Sequence, residues 1–273
     1  MSTTTTPITA FATSTDGTEI AYEVTGTGPA LVLVDGALCQ RAMGPARGLA
    51  AELADSFTVH AYDRRGRGES GQGSSPYAVQ REVDDLVAII GAAGGSAHVF
   101  GASSGAVLAL EAARQGAPID RLAVYEAPFI VDDTRPANDP RLPVRVQAMV
   151  DDGRRGEAVK TFMRTVGVPA PLIALMRFLP AWKQLTGIAH TLPYDLTLVV
   201  GRQQGEPLPA GYYDEVSADA VVIAGGKSPT WMRNGQGAIA AALPRGRLET
   251  LPGQTHMIKP KAIAPVLAAF LRG

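Results

Sequence analysis

Gly101-Ala102-Ser103-Ser104-Gly105 sets a serine between two glycines, the residue type that tolerates tight and left-handed backbone. A sharp turn of this kind lifts the central hydroxyl away from the chain, where a base can take its proton and the oxygen can attack an electrophilic carbon. Ser103 is the candidate nucleophile. Ser104 opens the run SGAVLALEAAR, which reads as a helix. Its backbone N–H would then sit at a helix N-terminus, where unpaired donors and the macrodipole favour developing negative charge. A second donor for the same charge is expected from Asp35-Gly36-Ala37, just after an apolar strand. Gly36 would let the backbone approach closely and Ala37 would supply the N–H, with the Gly36 N–H as the near alternative. A Gly/Ser turn that merely opens a helix has the same composition, so the order of the surrounding elements must separate the two readings.

For Ser103 to project, a strand must end at Gly101 and a helix must begin at Ser104. The chain supplies both, as residues 97–100 and 104–114, within a longer alternation. Two alternating runs, 8–14 and 19–24, flank Asp16-Gly17 and predict a β-hairpin. A Val/Leu run at 30–34, a helix-like stretch to about 53 and a strand at 57–62 follow. After Pro76, apolar residues at Val79, Val83, Leu86, Val87 and Ile90 share one helical face. Another strand is expected at 122–125. Continuous apolar runs separated by helices are what a buried parallel sheet requires. From about 128 to 217 the pattern changes to prolines, charges and helix-period stretches such as 144–150 and 171–179. Alternation then resumes with a strand at 220–224, a helix at 231–242, a strand at 247–251 and a last helix from Lys261. The expected organisation is an α/β core of residues 1–127 and 218–273, split by a helical cap of residues 128–217. The threonine run near the start reads as a frayed terminus.

With these elements in order, the chain resembles the α/β-hydrolase superfamily over nearly its whole length. Besides the serine turn, Tyr62-Asp-Arg-Arg-Gly-Arg-Gly-Glu-Ser70 is similar to the D-x-R-G-x-G-x-S segment of that family, which is structural and shapes the loop near the site. Gly253-Gln-Thr-His256-Met257 resembles its late histidine loop. The resemblance implies an α/β-hydrolase fold, a mostly parallel sheet flanked by helices with a helical cap insertion. It does not specify a substrate.

Four histidines compete for the role of base. His60 and His98 fall inside predicted strands and read as core residues. His190 lies in the cap, where packing and substrate contact are both open. Only His256 stands late in the chain on a loop at a strand's C-terminal end, as the family's order of serine, acid and histidine requires. The acid departs from the commonest family pattern, because aligning Ala224-Gly-Gly-Lys-Ser228-Pro229 with the usual loop puts Ser228 where an Asp is expected. Glu126, after the strand that follows the serine, is the expected replacement. A subset of the family keeps its acid there. Zearalenone lactonases are an example, similar to this chain in the Asp35-Gly36 turn, the Ser103-Ser104-Gly105 elbow, the Glu126 position and Pro180-Ala-Trp182. A partly buried carboxylate paired with a cap arginine is the competing reading of Glu126. Asp132 and Asp133, farther along the same loop, are the next candidates for the acid.

Composition narrows the function classes. Lys and Arg number 25 against 26 Asp and Glu, a net charge of −1 with the bases scattered, which argues against a dedicated nucleic-acid binder. Hydrophobic residues at 46% exclude a disordered chain. The longest apolar runs are strand-sized, whereas a membrane span needs about 20 apolar residues. The N-terminus lacks a basic start and an apolar core, so a cytoplasmic protein is expected. The single cysteine, Cys39, agrees with a reducing compartment. Among the aromatic and methionine side chains of the cap and its neighbouring loops, Trp182 and Trp231 are the expected substrate contacts, and no charged cluster points to a phosphate or a dicarboxylate. These residues describe a serine hydrolase of a hydrophobic ester or lactone that works without metal or cofactor on a small molecule. Whether it acts as a monomer or a homodimer stays open. Carbon–carbon bond hydrolysis, acyl transfer or perhydrolysis at the same site, and a slow-turnover small-molecule receptor, are the alternatives.

Overall fold

The computed structural model describes residues 9–74 and 76–273. Ile8 and the threonine run before it lie outside the described residues. Eight strands form one sheet in the order β1-β2-β4-β3-β5-β6-β7-β8. β1 (Thr9–Thr13) and β2 (Glu19–Thr25) pair as an antiparallel hairpin, and β2 runs antiparallel to β4 (Thr58–Tyr62). From there the sheet is parallel through β3 (Ala30–Val34), β5 (Ala97–Ala102), β6 (Ile119–Tyr125), β7 (Asp219–Gly225) and β8 (Gly246–Leu251). The chain thus has the α/β-hydrolase fold.

The Val/Leu runs are continuous because both faces of the sheet are covered. Along β3, Leu31 and Leu33 face one layer while Val32 and Val34 face the other, the two-residue alternation of a strand. The first layer is closed by α1 (Ala46–Leu53) and α10 (Pro260–Leu271), through Leu49, Leu53, Ile263 and Leu267. The opposite layer is closed by α2 (Val79–Ala92), α3 (Ser104–Arg114) and α9 (Thr230–Ala242), through Leu86, Ile90, Leu108 and Ile239.

Between β6 and β7 the chain forms α4 (Leu142–Asp151), α5 (Arg155–Thr165), α6 (Ala170–Met176), α7 (Ala181–Gly187) and α8 (Leu192–Val199). Their own apolar cluster, with Val146, Val159 and Leu192 at its centre, also takes in Leu38 from the loop after β3. No helix among the described residues is long and apolar enough to cross a membrane.

Two expected helices are shorter than their apolar patterns suggest. The stretch after β3 becomes helical only at Ala46. Residues 35–45 are held as an irregular loop, with Arg41 N–H donating to Asp63 Oδ1 at 2.7 Å and Arg67 Nη1 donating to the carbonyl oxygens of Gly36 and Cys39 at 2.7 and 3.2 Å. The pattern over 171–179 is cut at Met176, and a second helix starts at Ala181. Pro180 intervenes, and the residue before a proline is disfavoured in helical conformation.

Candidate active site

β5 stops at Ala102 and α3 begins at Ser104, leaving Ser103 alone between them with φ 54° and ψ −123°. A non-glycine residue in so sparsely populated a region costs on the order of 1–3 kcal/mol and persists only where its surroundings enforce it. Here they do. Ser103 N–H donates to Tyr125 O at 2.9 Å, and its own carbonyl accepts from Ala106 N–H at 3.0 Å. The two glycines of the motif let the turn close: a Cβ on Gly105 would lie 2.2 Å from Val34 O, and one on Gly101 would lie 2.5 Å from Gly105 O. The motif's spacing is therefore the packing requirement of a helix that starts against its own strand.

The loop after β3 presses on this turn from the other side. A Cβ on Gly36 would sit 3.0 Å from Ser103 Cβ and 3.2 Å from Ala102 O, so glycine is needed there for close approach. Arg67 and Arg64 hold the loop by its carbonyls, Nη1 of each donating to Gly36 O at 2.7 Å and to Asp35 O at 3.3 Å respectively. Both guanidiniums also bind Asp195 of α8, at 2.7 Å each, and Ser104 Oγ donates to the same carboxylate at 2.7 Å. Burial alone would raise the Asp195 carboxyl, but Arg67 and Arg64 outweigh it and hold it below the ordinary carboxylate range. Asp35, buried with one oxygen unpartnered, is instead pushed up by burial to about 7, although Arg67 and Arg64 lower it.

Glu126 follows β6 with φ 49° and is fully buried. Its Oε1 accepts the Gly225 N–H at 2.7 Å, and its Oε2 lies 2.9 Å from His256 Nδ1. An ionised carboxylate only accepts, so Nδ1 carries the hydrogen and Nε2 is left as the acceptor. Gly225 makes room for this arrangement, since a Cβ there would be 2.9 Å from both Glu126 Oε1 and Ser228 Oγ. Ser228, the residue standing where an Asp was expected, is buried with its hydroxyl unpartnered. His256 lies on the loop between β8 and α10, and Tyr125 Oη fixes that loop by donating to Thr255 O at 2.5 Å. No hydrogen bond joins Ser103 Oγ to His256 among the described residues. Such contacts commonly tighten only when substrate is bound.

Ser103, His256, Ala37 and Ser104 all line one cavity of about 450 Å³. Its walls are mainly apolar, with Phe162 and Met163 from α5, Leu196 from α8 and Met232 from α9. Trp231 lines it too, in the first turn of α9, with the Arg135 guanidinium 4.3 Å from its ring centre. Trp182 does not. It sits on α7, which packs against α5, and its ring edge is near Gly156, so α5 rather than α7 supplies the wall. The reserve acids are engaged elsewhere: Asp132 accepts from Thr134 N–H and from Asn234 Nδ2 at 3.0 and 2.6 Å, and Asp133 is exposed. His190 Nε2 donates to Gly66 O at 2.8 Å, and His60 and His98 lie within β4 and β5, where burial lowers both.

Sequence reasoning missed two features. The Arg64–Arg67–Asp195 cluster joins residues more than a hundred positions apart, and only the arginine-rich segment after β4 signalled part of it. Arg135 and Lys227 line the cavity as cations, two charges that the sequence reading did not place there. Arg135 comes from a proline-rich stretch without periodicity, which gave no signal.

The comparisons agree with this architecture. A family model described as "Alpha/beta hydrolase family" matches residues 37–266. The crystal structure of an alpha/beta hydrolase from Sphaerobacter thermophilus DSM 20745 is 49% identical, with a TM-score of 0.87 over 96% of this chain and 100% of that one. The esterase RhEst1 from Rhodococcus sp. ECU1013, at 20% identity and a TM-score of 0.68 over 97% of this chain and 98% of its own, shares the fold. An uncharacterized hydrolase of Bacillus subtilis (strain 168), YraK, is 37% identical over 101 residues, a match that spans 35% of this chain and 35% of that relative.

Proposed function

Because the chain belongs to the alpha/beta hydrolase family, we propose that it is a serine hydrolase that cleaves a carboxylic ester or lactone of a largely apolar small molecule through an acyl-enzyme. Ser103 is the nucleophile, His256 the base and Glu126 the acid of the triad. The observation that carries this reading is the buried Glu126 carboxylate, fixed by Gly225 N–H and 2.9 Å from His256 Nδ1, in the loop that brings the imidazole to the cavity of Ser103.

In this mechanism His256 Nε2 takes the hydroxyl proton as Ser103 Oγ bonds to the ester carbonyl carbon. The N–H groups of Ala37 and Ser104 hold the oxyanion, a contribution of about 3–4 kcal/mol per donor in comparable sites. The imidazolium formed beside Glu126 then gives its proton to the leaving alkoxy oxygen as the C–O bond breaks. Water, deprotonated by the same histidine, attacks the acyl carbon and releases the acid, and the proton returns to Ser103. The negative charge of Glu126 offsets the positive charge on His256 in both halves. Trp231 and the apolar walls bind the acyl or alcohol portion, and residues 128–217 act as the cap over the core of residues 1–127 and 218–273.

Intact mass after treatment with a fluorophosphonate probe tests the assignment. Wild type is expected to gain one adduct, Ser103→Ala none, and Glu126→Gln the same adduct at a rate lower by a few decades, since loss of a triad carboxylate costs about 10⁴ in turnover in serine proteases. An unlabelled wild type, or a Glu126→Gln protein labelled as fast as wild type, overturns it.

A further inference from the structure

Arg135 is a cation facing the catalytic cavity without an anion to balance it. Arg41, Arg64, Arg65 and Arg67 are buried, and each is paired with at least one carboxylate within 4.0 Å. Arg135 is half-buried and has no carboxylate partner among the described residues. Its one hydrogen bond runs from Nη2 to the carbonyl of Thr165, at the end of α5. A guanidinium has five N–H donors in a rigid fork, so most of this one remains available. Burial shifts it downward from the ordinary arginine range with no neighbouring charge to offset the shift.

The side chain is nevertheless held in place. Its Cζ lies over the Trp231 ring, 4.3 Å from the ring centre, and Trp231 and Arg135 line the cavity together with Ser103 and His256. The one carboxylate in that lining, Asp195, has both oxygens occupied by Arg64 and Arg67. Asp132, on the same loop as Arg135, is used by Thr134 and Asn234. Lys227, an exposed residue of the same lining, adds a second positive charge without a salt bridge among the described residues. A mainly apolar cavity with two cations in its lining suits a largely apolar molecule that also carries negative charge.

We propose that the Arg135 guanidinium, placed over the Trp231 ring, binds a free carboxylate of the substrate, so that the preferred substrate is a largely apolar ester or lactone that also carries one carboxylate. The chemistry rests on the hydrolase reading above; recognition of the anion does not. A planar fork binds a carboxylate bidentately, and charge-assisted bonds of this kind exceed neutral ones about twofold in strength. The competing role for Arg135 is a strap that merely ties its loop to α5 through Thr165.

Binding of methyl hydrogen adipate and of dimethyl adipate, measured by calorimetry at pH 7.5 or so, separates the two roles. The two probes differ by one charge and one methyl group. Ser103→Ala removes turnover, so affinity is read directly. That protein is expected to bind the monoester at least about tenfold more tightly than the diester, the lower end of what hydrogen bonds to a charged group contribute. In Ser103→Ala/Arg135→Met the ratio should fall to near one. Equal affinities in Ser103→Ala, or a ratio that survives in the double variant, overturn the proposal. If the methionine variant does not fold, Arg135→Lys, which keeps the charge and loses the fork, should lower the ratio at least threefold or so, and an unchanged ratio again overturns it. Fluorophosphonate labelling of wild type at Ser103 decides the hydrolase reading separately. A binding preference in a protein that takes no label leaves the carboxylate site standing and removes the hydrolase, and labelling without preference does the reverse.

Discussion

A carboxylate at position 126 meets the histidine from the end of β6, one strand away from the loop after β7 where Ser228 stands. The relocation needs three things at once: a left-handed backbone at Glu126, a missing side chain at Gly225 and a small residue at position 228. Ser228 leaves a buried hydroxyl with no partner beside Gly225, where an added Cβ would meet that hydroxyl and Glu126 Oε1 at 2.9 Å each. An acid restored at that position should therefore reach the histidine once Glu126 no longer carries charge. Glu126→Gln/Ser228→Asp is expected to regain about 10- to 100-fold of the roughly 10⁴-fold loss in kcat/KM of Glu126→Gln alone, a partial return because the lost orientation is only approximated. Steady-state kinetics with one ester substrate checks it, and a double variant no faster than the single one shows that no productive path runs from position 228. At this scale the serine turn was legible because its glycines are steric necessities written locally. The Glu126–His256 pair spans 130 positions and could be anticipated only from the order of strands, while the approach of Arg135 to the Trp231 ring left no trace in either segment.

Elements meet at the site through one buried cluster. Arg64 and Arg67, from the segment after β4, bind the loop that carries Ala37, the side chain of Ser104 at the head of α3, and Asp195 on α8. Asp195 thereby couples the helices between β6 and β7 to the catalytic turn. Its loss leaves two buried guanidiniums short of an acceptor, a change that costs about 3–5 kcal/mol when one partner of a buried pair is removed. Asp195→Asn is accordingly expected to lower the unfolding free energy at pH 7 by that amount, read from urea unfolding. The sign with pH follows from its depressed carboxyl. The stabilisation is present above the unfolded value near 4 and fades as pH falls through the lower folded value, so the gap between wild type and Asp195→Asn should narrow below about pH 4. A gap that is constant down to pH 2–3 or so, followed by urea unfolding, would assign the loss to packing rather than charge. Most elements were legible beforehand because both sheet faces impose continuous apolar runs. The start of α1 and the break between α6 and α7 were not, since tertiary hydrogen bonds to Gly36, Cys39 and Arg41 and the single Pro180 override the local pattern.

Across the whole molecule, burial is unevenly shared, and that should decide where the chain opens. In α3, nine of the eleven residues are buried between the sheet and its neighbours, whereas α6 buries only Ile173 and α7 none. Leu175 and Phe178, at 60% and 80% exposure, place apolar surface in water at the same end. Segments with so few buried contacts open at a free energy far below that of global unfolding. Amides of α6 and α7 are therefore expected to exchange with solvent orders of magnitude faster than those of α3, β5 and β6, as followed by exchange mass spectrometry. Occupying the cavity should change this selectively. Phe162, Met163, Val166 and Val168 line it from α5 and the turn into α6, while α7 contributes nothing to the lining. A phosphonate adduct on Ser103 should thus slow exchange over 155–168 and leave 181–187 unaltered. Equal protection of α3, α6 and α7 in the free protein would mean that sheet and intervening helices unfold as one cooperative unit, and uniform slowing across α5, α6 and α7 would mean that the helices close over the ligand together.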